Sequence, residues 1–113
     1  MKLFVMRHAQ ASFNALSDRE RPITETGISH TQDLLEKHVD SFAQVNCIWS
    51  SDLLRAKQTA EYVSKQLNIQ SHEQNFLSPD GDINAVLNEC QKLPKETCLF
   101  IVSHQPLVGE LVS

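Results

Sequence analysis

The chain has 113 residues, a formal net charge of -4 and a hydrophobic content of 41%, which together predict one globular domain with a single core. Acidic and basic residues are interspersed, so no basic patch indicates a nucleic-acid partner or binding to an anionic membrane surface. No apolar run is long enough for a membrane span or a secretory leader. The three cysteines lack metal-site spacing and favour free thiols in a reducing cytoplasm, where we expect this protein to reside.

Two strands and a helix are predicted in the first half of the chain. Residues 2–6 form a continuous apolar run, as in strands that are buried on both faces. Thr24 can cap a helix over 25–39, although Gly27 near the start of this helix is unfavourable and therefore needs a structural reason. A second apolar run at 45–49 predicts the next strand.

The second half continues this alternation. Apolar residues recur at spacings of three and four over 53–67, which predicts an amphipathic helix. A weak extended segment covers 71–77, Asp82 can cap a further helix, and 97–103 has the strongest strand pattern in the chain. Pro106 fits the first position of a last helix that runs to the end of the chain.

The alternation of strands and helices predicts an α/β fold: an open, mostly parallel sheet with helices on both faces, in one domain spanning 1–113. In such sheets, ligands bind beyond the carboxyl ends of the strands. The first predicted strand ends at Arg7 and His8, the second leads into a helical turn that carries Arg55, and the last ends at His104. We therefore expect these four side chains at one edge of the sheet.

The residue types at this edge predict its chemistry. Guanidinium groups match the paired oxygens of phosphate or carboxylate, so we expect a site for a small anion. Neighbouring positive charge lowers the pKa of a histidine, and a neutral His8 beside a bound phosphoryl group is a nucleophile. Zinc binding by His8 and His104 is the alternative, but this edge lacks acidic co-ligands, and we expect no metal.

Four sequence motifs in register carry a family resemblance. They are RHA at 7–9, ITETG at 23–27, SSDLLRAKQTA at 50–60 and SHQPLVG at 103–109. Together they resemble the histidine phosphatase superfamily, most closely its SixA-type phosphohistidine phosphatases. The resemblance implies a phosphoglycerate mutase-like fold and an activity that needs no cofactor.

The resemblance also bears on the end of the chain. The family continues beyond the last motif through a longer helix and further strands, so we expect this chain to lack the C-terminal part of the fold. We also expect the apolar residues of the last helix, Leu107, Val108, Leu111 and Val112, to lack later elements of the chain to pack against.

The resemblance implies roles for individual residues. His8 corresponds to the nucleophile that becomes phosphohistidine, and Arg7, Arg55 and His104 correspond to the phosphate pocket around it.

Further residues are implied as substrate contacts or as the general acid. Asn14 and Arg21 correspond to positions that contact phosphate or substrate. Pro79 stands near the place where many family members carry a glutamate that protonates the leaving oxygen. Asp80 or Asp82 could supply that proton, although Asp82 also fits a helix N-cap. Cleavage of a phosphorus–nitrogen bond needs little proton donation, which favours phosphohistidine over an alkyl phosphate.

The implied function is that of a cytoplasmic hydrolase that removes phosphate from a protein histidine, for example in a histidine phosphotransfer domain of a two-component signalling relay. Its partners would be that phosphorylated protein and inorganic phosphate as product, with no nucleic acid and no membrane. Two alternatives stay open: a phosphatase for small phosphorylated metabolites, and a module that binds phosphohistidine without hydrolysing it.

Overall fold

A computed structural model describes residues 1–112 of the chain. Its centre is one sheet of four parallel strands: β1 (Lys2–Arg7), β2 (Cys47–Ser50), β3 (Ser71–Glu73) and β4 (Cys98–Ser103). Their spatial order in the sheet is β1-β4-β2-β3. The predicted strands at 2–6, 45–49 and 97–103 are confirmed, and the weak segment at 71–77 contains a strand of only three residues.

Four helices connect or follow these strands. They are α1 (Glu25–Lys37), α2 (Leu54–Leu67), α3 (Ile83–Gln91) and α4 (Leu107–Val112), with two short 3-10 turns at Asp18–Glu20 and Asn75–Leu77. Helix α1 ends two residues before its predicted end at 39, and Pro106 lies just before α4 instead of inside it. Ser113, the last residue of the predicted final helix, lies outside the described residues. None of the helices within 1–112 has the length and apolarity that crossing a bilayer requires.

Strand β4 shows why the sheet is covered on both faces. It lies between β1 and β2, and all six of its residues are buried. Phe100 and Val102 belong to a core cluster with residues of α1 and α2, whereas Leu99 and Ile101 belong to a second cluster with residues of α3 and α4. Because successive strand residues point to opposite faces, these clusters lie on opposite sides of the sheet. The predicted fold class is confirmed.

The start of α1 explains the glycine that the sequence left unexplained. The Thr24 side chain accepts a hydrogen bond from the Gly27 N–H at 3.0 Å, as predicted for an N-cap. A Cβ added at Gly27 would lie 2.6 Å from the carbonyl oxygen of Gln10. Glycine is required because α1 packs its first turn directly against the backbone that follows β1.

Elements that precede α4 in the chain cover part of its apolar face. Leu107 is fully buried, and Leu111 packs against the cluster on its side of the sheet. Val112 is 70% exposed. Helix α4 is therefore docked by its first turn, and this docking holds the segment that follows β4 in place.

Candidate active site

The carboxyl ends of the strands form one edge of the sheet, and the predicted side chains meet there. A cavity of about 270 Å³ opens at this edge. Its lining consists of Arg7, His8, Phe13, Arg21, Arg55, Pro79, His104 and Gln105. The imidazole rings of His8 and His104 have centroids 4.8 Å apart. A second, open depression of about 360 Å³ shares Arg7, His8 and Arg21 with the first.

His8 has one nitrogen occupied and one free for chemistry. Its Nδ1 lies 2.8 Å from the carbonyl oxygen of Ala9. A carbonyl can only accept, so we assign the ring hydrogen to Nδ1, which leaves the lone pair on Nε2. Burial lowers the pKa of His8, and the charges of Arg55, Arg7 and Arg21 lower it further, against the opposing effect of the Ala9 bond. His8 is therefore held as a neutral imidazole with a nucleophilic Nε2 at neutral pH.

The backbone around His8 is fixed by hydrogen bonds to distant parts of the chain. The His8 N–H donates to the Ser103 carbonyl at 2.9 Å, which extends the ladder between β1 and β4. The Ala9 N–H donates to Thr59 Oγ1 at 2.9 Å, and this hydroxyl donates in turn to the Arg55 carbonyl at 2.8 Å. Because Thr59 is fully buried in α2, the helix that carries Arg55 also fixes the turn after His8.

Arg55 enters the site from the first turn of α2 and is almost completely buried. Its Nη1 donates to the Asp18 carbonyl at 2.8 Å, and its Nη2 lies 3.3 Å from Asp18 Oδ2. The buried Nε has no hydrogen-bond partner among the described residues. A buried N–H donor without a partner is costly, so a ligand oxygen at this position would be favourable.

Asp18 connects Arg55 with the second arginine of the cavity. Arg21 Nη1 lies 3.2 Å from Asp18 Oδ1, and Arg21 Nε donates to the Ser12 carbonyl at 3.0 Å. The hydrogen bond from Arg21, together with the charge of Arg55, lowers the pKa of Asp18. The carboxylate therefore stays ionised and partly balances two guanidinium groups, whereas Arg7 extends exposed at the mouth of the cavity.

His104 is buried at the end of β4 with one nitrogen in a hydrogen bond. Its Nε2 lies 2.8 Å from Ser51 Oγ, and its buried Nδ1 has no partner within residues 1–112. When the Ser51 hydroxyl donates to Nε2, Nδ1 carries the hydrogen and is an available donor. Burial, and the proximity of His8 and Arg55, lower the pKa of His104 to about 4. A neutral His104 with a free Nδ1–H is suited to bind an anion.

Three of the predicted site residues lie outside the two cavities of the described structure. Asn14 is exposed, and its backbone N–H donates to Ser12 Oγ at 3.0 Å. Asp80 is exposed, and Asp82 caps α3 by accepting a hydrogen bond from the Asn84 N–H at 3.2 Å. Arg7, His8, Arg21, Arg55 and His104 do line the cavity, as does Pro79.

Other residues that shape the site were missed by the sequence analysis. Ser51 and Thr59 lie inside the 50–60 motif, which is a signal that could have identified them, but hydroxyl groups near strand ends and in helices have many structural roles. Asp18 lies in a polar segment with alternating charges, where no periodic pattern distinguishes one carboxylate from another. Its contact with Arg55 depends on how the segment folds back over α2.

The alternative of a zinc site at His8 and His104 requires further ligands beside these two histidines. Within residues 1–112, no group of three His, Cys, Asp or Glu side chains is arranged to hold a metal ion. His8 and His104 are close to each other, but the neighbouring charged groups in the cavity lining are arginines. This ligand set does not fit zinc, which takes three or four protein ligands.

Comparison with known proteins adds an independent line of evidence. The family model of the histidine phosphatase superfamily (branch 1) matches residues 3–78. The phosphohistidine phosphatase SixA of Escherichia coli strain K12 is 34% identical over an alignment 117 positions long, which covers 100% of this chain and 73% of that protein.

Solved structures give the same result at the level of the fold. The structure of the protein histidine phosphatase SixA complexed with tungstate superposes with a TM-score of 0.91 at 34% identity, over 99% of this chain and 74% of that one. Phosphoglycerate mutase from Plasmodium falciparum superposes with a TM-score of 0.74 at 19% identity, over 97% of this chain and 65% of the mutase. The second likeness concerns the fold alone.

Proposed function

This chain belongs to the histidine phosphatase superfamily, and on that premise we propose that it is a phosphohistidine phosphatase that forms a covalent intermediate on His8. The observation that carries the proposal is the free Nε2 of His8 in the cavity that Arg55 and His104 also line. His8 Nε2 can act as the nucleophile. Arg55 Nε and His104 Nδ1 are buried nitrogen atoms without hydrogen-bond partners among the described residues. A nucleophile beside anion-binding donors is the arrangement that phosphoryl transfer requires.

In the first step, His8 Nε2 attacks the phosphorus atom. The new Nε2–P bond forms while the bond between phosphorus and the substrate nitrogen breaks. Arg7, Arg21 and Arg55 neutralise the equatorial phosphoryl oxygens, and His104 Nδ1–H donates a hydrogen bond to them. The hydrogen stays on His8 Nδ1 and keeps its hydrogen bond to the Ala9 carbonyl throughout, so the attacking ring keeps its orientation.

In the second step, a water molecule attacks the phosphorus of the phosphorylated His8. The Nε2–P bond breaks, the electron pair returns to Nε2, and both water protons leave with the dihydrogen phosphate ion. His8 is then neutral again and ready for another cycle. We therefore assign Arg7, Arg55 and His104 as phosphate-binding residues in both steps and Arg21 as a further contact.

The absence of an acid favours a phosphorus–nitrogen substrate. None of the described residues that line the cavity is an aspartate or glutamate, and Pro79 occupies the wall. A substrate imidazole with a hydrogen on its other ring nitrogen departs as a neutral molecule, whereas an alkoxide needs a proton. The name of the Escherichia coli relative, a phosphohistidine phosphatase, agrees with this choice.

We further propose that the physiological substrate is a phosphorylated protein histidine, such as that of a histidine phosphotransfer domain in a cytoplasmic two-component relay. Phosphohistidine is formed in such relays by transfer between proteins, so a phosphatase for it acts on a macromolecule. A small phosphorylated metabolite is the competing substrate class.

The test uses a ³²P-labelled histidine phosphotransfer domain and follows loss of label. We expect the unsubstituted protein to release phosphate and a rapid acid-free quench to trap ³²P on the enzyme. His8→Ala should form no labelled enzyme and release no phosphate, whereas His30→Ala, an exposed control in α1, should behave like the starting protein. Turnover by His8→Ala would refute the mechanism. Faster turnover of small phosphate esters would refute the substrate class, and binding without a trapped intermediate would indicate a non-catalytic module.

A further inference from the structure

The segment that connects β1 to α1 carries the two most exposed large apolar side chains of the described structure. Phe13 is 86% exposed and Leu16 is 95% exposed. Three residues of chain span at most about 11 Å, so the Cα atoms of these two residues lie within about 11 Å of each other. Single exposed apolar residues are common, but two highly exposed large apolar residues within one short segment indicate a contact surface. We name Phe13 and Leu16 the apolar rim.

The apolar rim is held in place by the residues of the proposed site. The Arg21 guanidinium carbon lies 4.1 Å from the centroid of the Phe13 ring, and Arg21 Nε donates to the Ser12 carbonyl. The Ser12 N–H donates to the Pro22 carbonyl at 2.8 Å, and Asp18 is bonded to Arg55. The exposure of the rim is therefore a property of an anchored loop.

Charges on this segment already have partners within the chain. Arg19 forms an ion pair with Asp52 at 2.9 Å, and Asp18 pairs with two arginines of the site. The Ser17 hydroxyl donates to Glu20 at 3.0 Å. Because these charged side chains are already paired, we expect a partner to contact the apolar side chains of the segment and to cover them with apolar area of its own.

The rim is continuous with the cavity, because Phe13 is part of the cavity wall that contains His8. A phosphorylated histidine that reaches His8 brings the surface of its own protein over this wall. Leu16 is not part of this wall, so a free phosphorylated metabolite can occupy the cavity without contacting Leu16.

We propose that Phe13 and Leu16 form the docking surface for the phosphorylated protein, by covering an apolar patch that flanks its phosphohistidine. This inference rests on the proposed function and extends it from the reacting atom to the recognition of the whole substrate. It predicts that the rim contributes to turnover of a phosphorylated protein and contributes nothing to turnover of free phosphohistidine.

The clean variant is Leu16→Ser, because Leu16 is not part of the cavity lining. With a phosphorylated histidine phosphotransfer domain, we expect kcat/KM to fall about fivefold to tenfold, as for the loss of one partly buried leucine contact. With free N-phosphohistidine, we expect kcat/KM to change less than twofold. Leu16→Met, which keeps the apolar area, should restore most of the activity on the protein.

A matched control is Val39→Ser. Val39 is 41% exposed and lies between α1 and β2, at the edge of the sheet opposite the site, so both substrates should be unaffected. Equal loss on both substrates, or no loss on either, in Leu16→Ser would overturn the docking surface and leave the phosphatase proposal intact. If the protein dimerised with increasing concentration and Leu16→Ser did not, the docking surface would be overturned in favour of a contact between two copies of the chain. If the protein sedimented with anionic phospholipid vesicles, it would be overturned in favour of a membrane contact. Failure of the unsubstituted protein on both substrates would overturn the proposed function itself.

Discussion

Gly27→Ala tests how closely the fold and the site are coupled. The added Cβ would lie 2.6 Å from the Gln10 carbonyl oxygen and 3.2 Å from Ala9 Cβ. The closest ordinary carbon–oxygen contacts are about 3.3 Å, so the backbone at Gln10 would have to retreat by about 0.7 Å. That oxygen also accepts the Thr24 N–H at 2.9 Å, so a retreat would lengthen the bond that joins the loop to α1.

Two opposing effects set the magnitude. Overpacking costs about 1–3 kcal/mol, whereas replacing glycine with alanine in a helix gains up to about 1 kcal/mol. We therefore expect the free energy of unfolding to fall by only about 1 kcal/mol. The effect on activity should be larger, because Ala9 and Gln10 follow His8 directly and a displacement near 1 Å at a reacting group can cost about 100-fold in rate.

The assay combines urea unfolding at 25 °C with the rate of phosphate release from the phosphorylated domain. Ser29→Ala serves as the control because Ser29 is exposed on the same helix. We expect a 10- to 100-fold loss of kcat/KM in Gly27→Ala, on the order of 1–3 kcal/mol in transition-state stabilisation, with a folded protein and normal activity in the control. A Gly27→Ala protein that is more stable than the original and fully active would refute the close approach.

Two further predictions concern buried polar groups. The pKa of His104 is lowered to about 4, so the unfolded chain binds a proton below pH 6.5 that the folded chain does not, and stability should decrease as pH falls from 6.5 to 4. His104 should account for up to about 3 kcal/mol of this decrease, which His104→Gln should remove in urea titrations across that range. Thr59→Val should cost about 1–3 kcal/mol in unfolding free energy and reduce kcat, because the Ala9 N–H loses its acceptor.

Each of these predictions has a matched control. His30→Gln replaces an exposed histidine of α1 and should retain the loss of stability that we assign to His104. An identical pH dependence in His104→Gln and the original protein would contradict the burial argument. Thr59→Ser keeps the hydroxyl group and should retain more activity than Thr59→Val. Equal activity of these two variants would show that the Ala9 hydrogen bond does not position His8.

The elements of this fold were predictable where burial follows a local period. The apolar runs of β1 and β4 and the stripe of α2 are periodic because neighbouring residues share a face or alternate between faces. The prediction was weakest at 71–77, where a three-residue strand at the sheet edge leaves little apolar pattern. It did not indicate that earlier elements cover Leu107 and Leu111, because a contact between α4 and distant elements leaves no trace in the spacing of α4 itself.

The sequence by itself determined which chemistry is available: Arg7 and His8 end a buried strand, and the parallel topology brings Arg55 and His104 to the same edge. The tertiary structure decided which hydrogen-bond partners surround those groups. The hydrogen bond from Ala9 to Thr59 joins residues 50 positions apart, and the bond from Arg55 to Asp18 joins residues 37 positions apart. Local periodicity encodes which face of an element is buried, whereas contacts of this separation depend on the path of the whole chain. For that reason, the shared position of His8, Arg55 and His104 could be inferred from motifs, but the anchored loop that carries Phe13 and Leu16 could not.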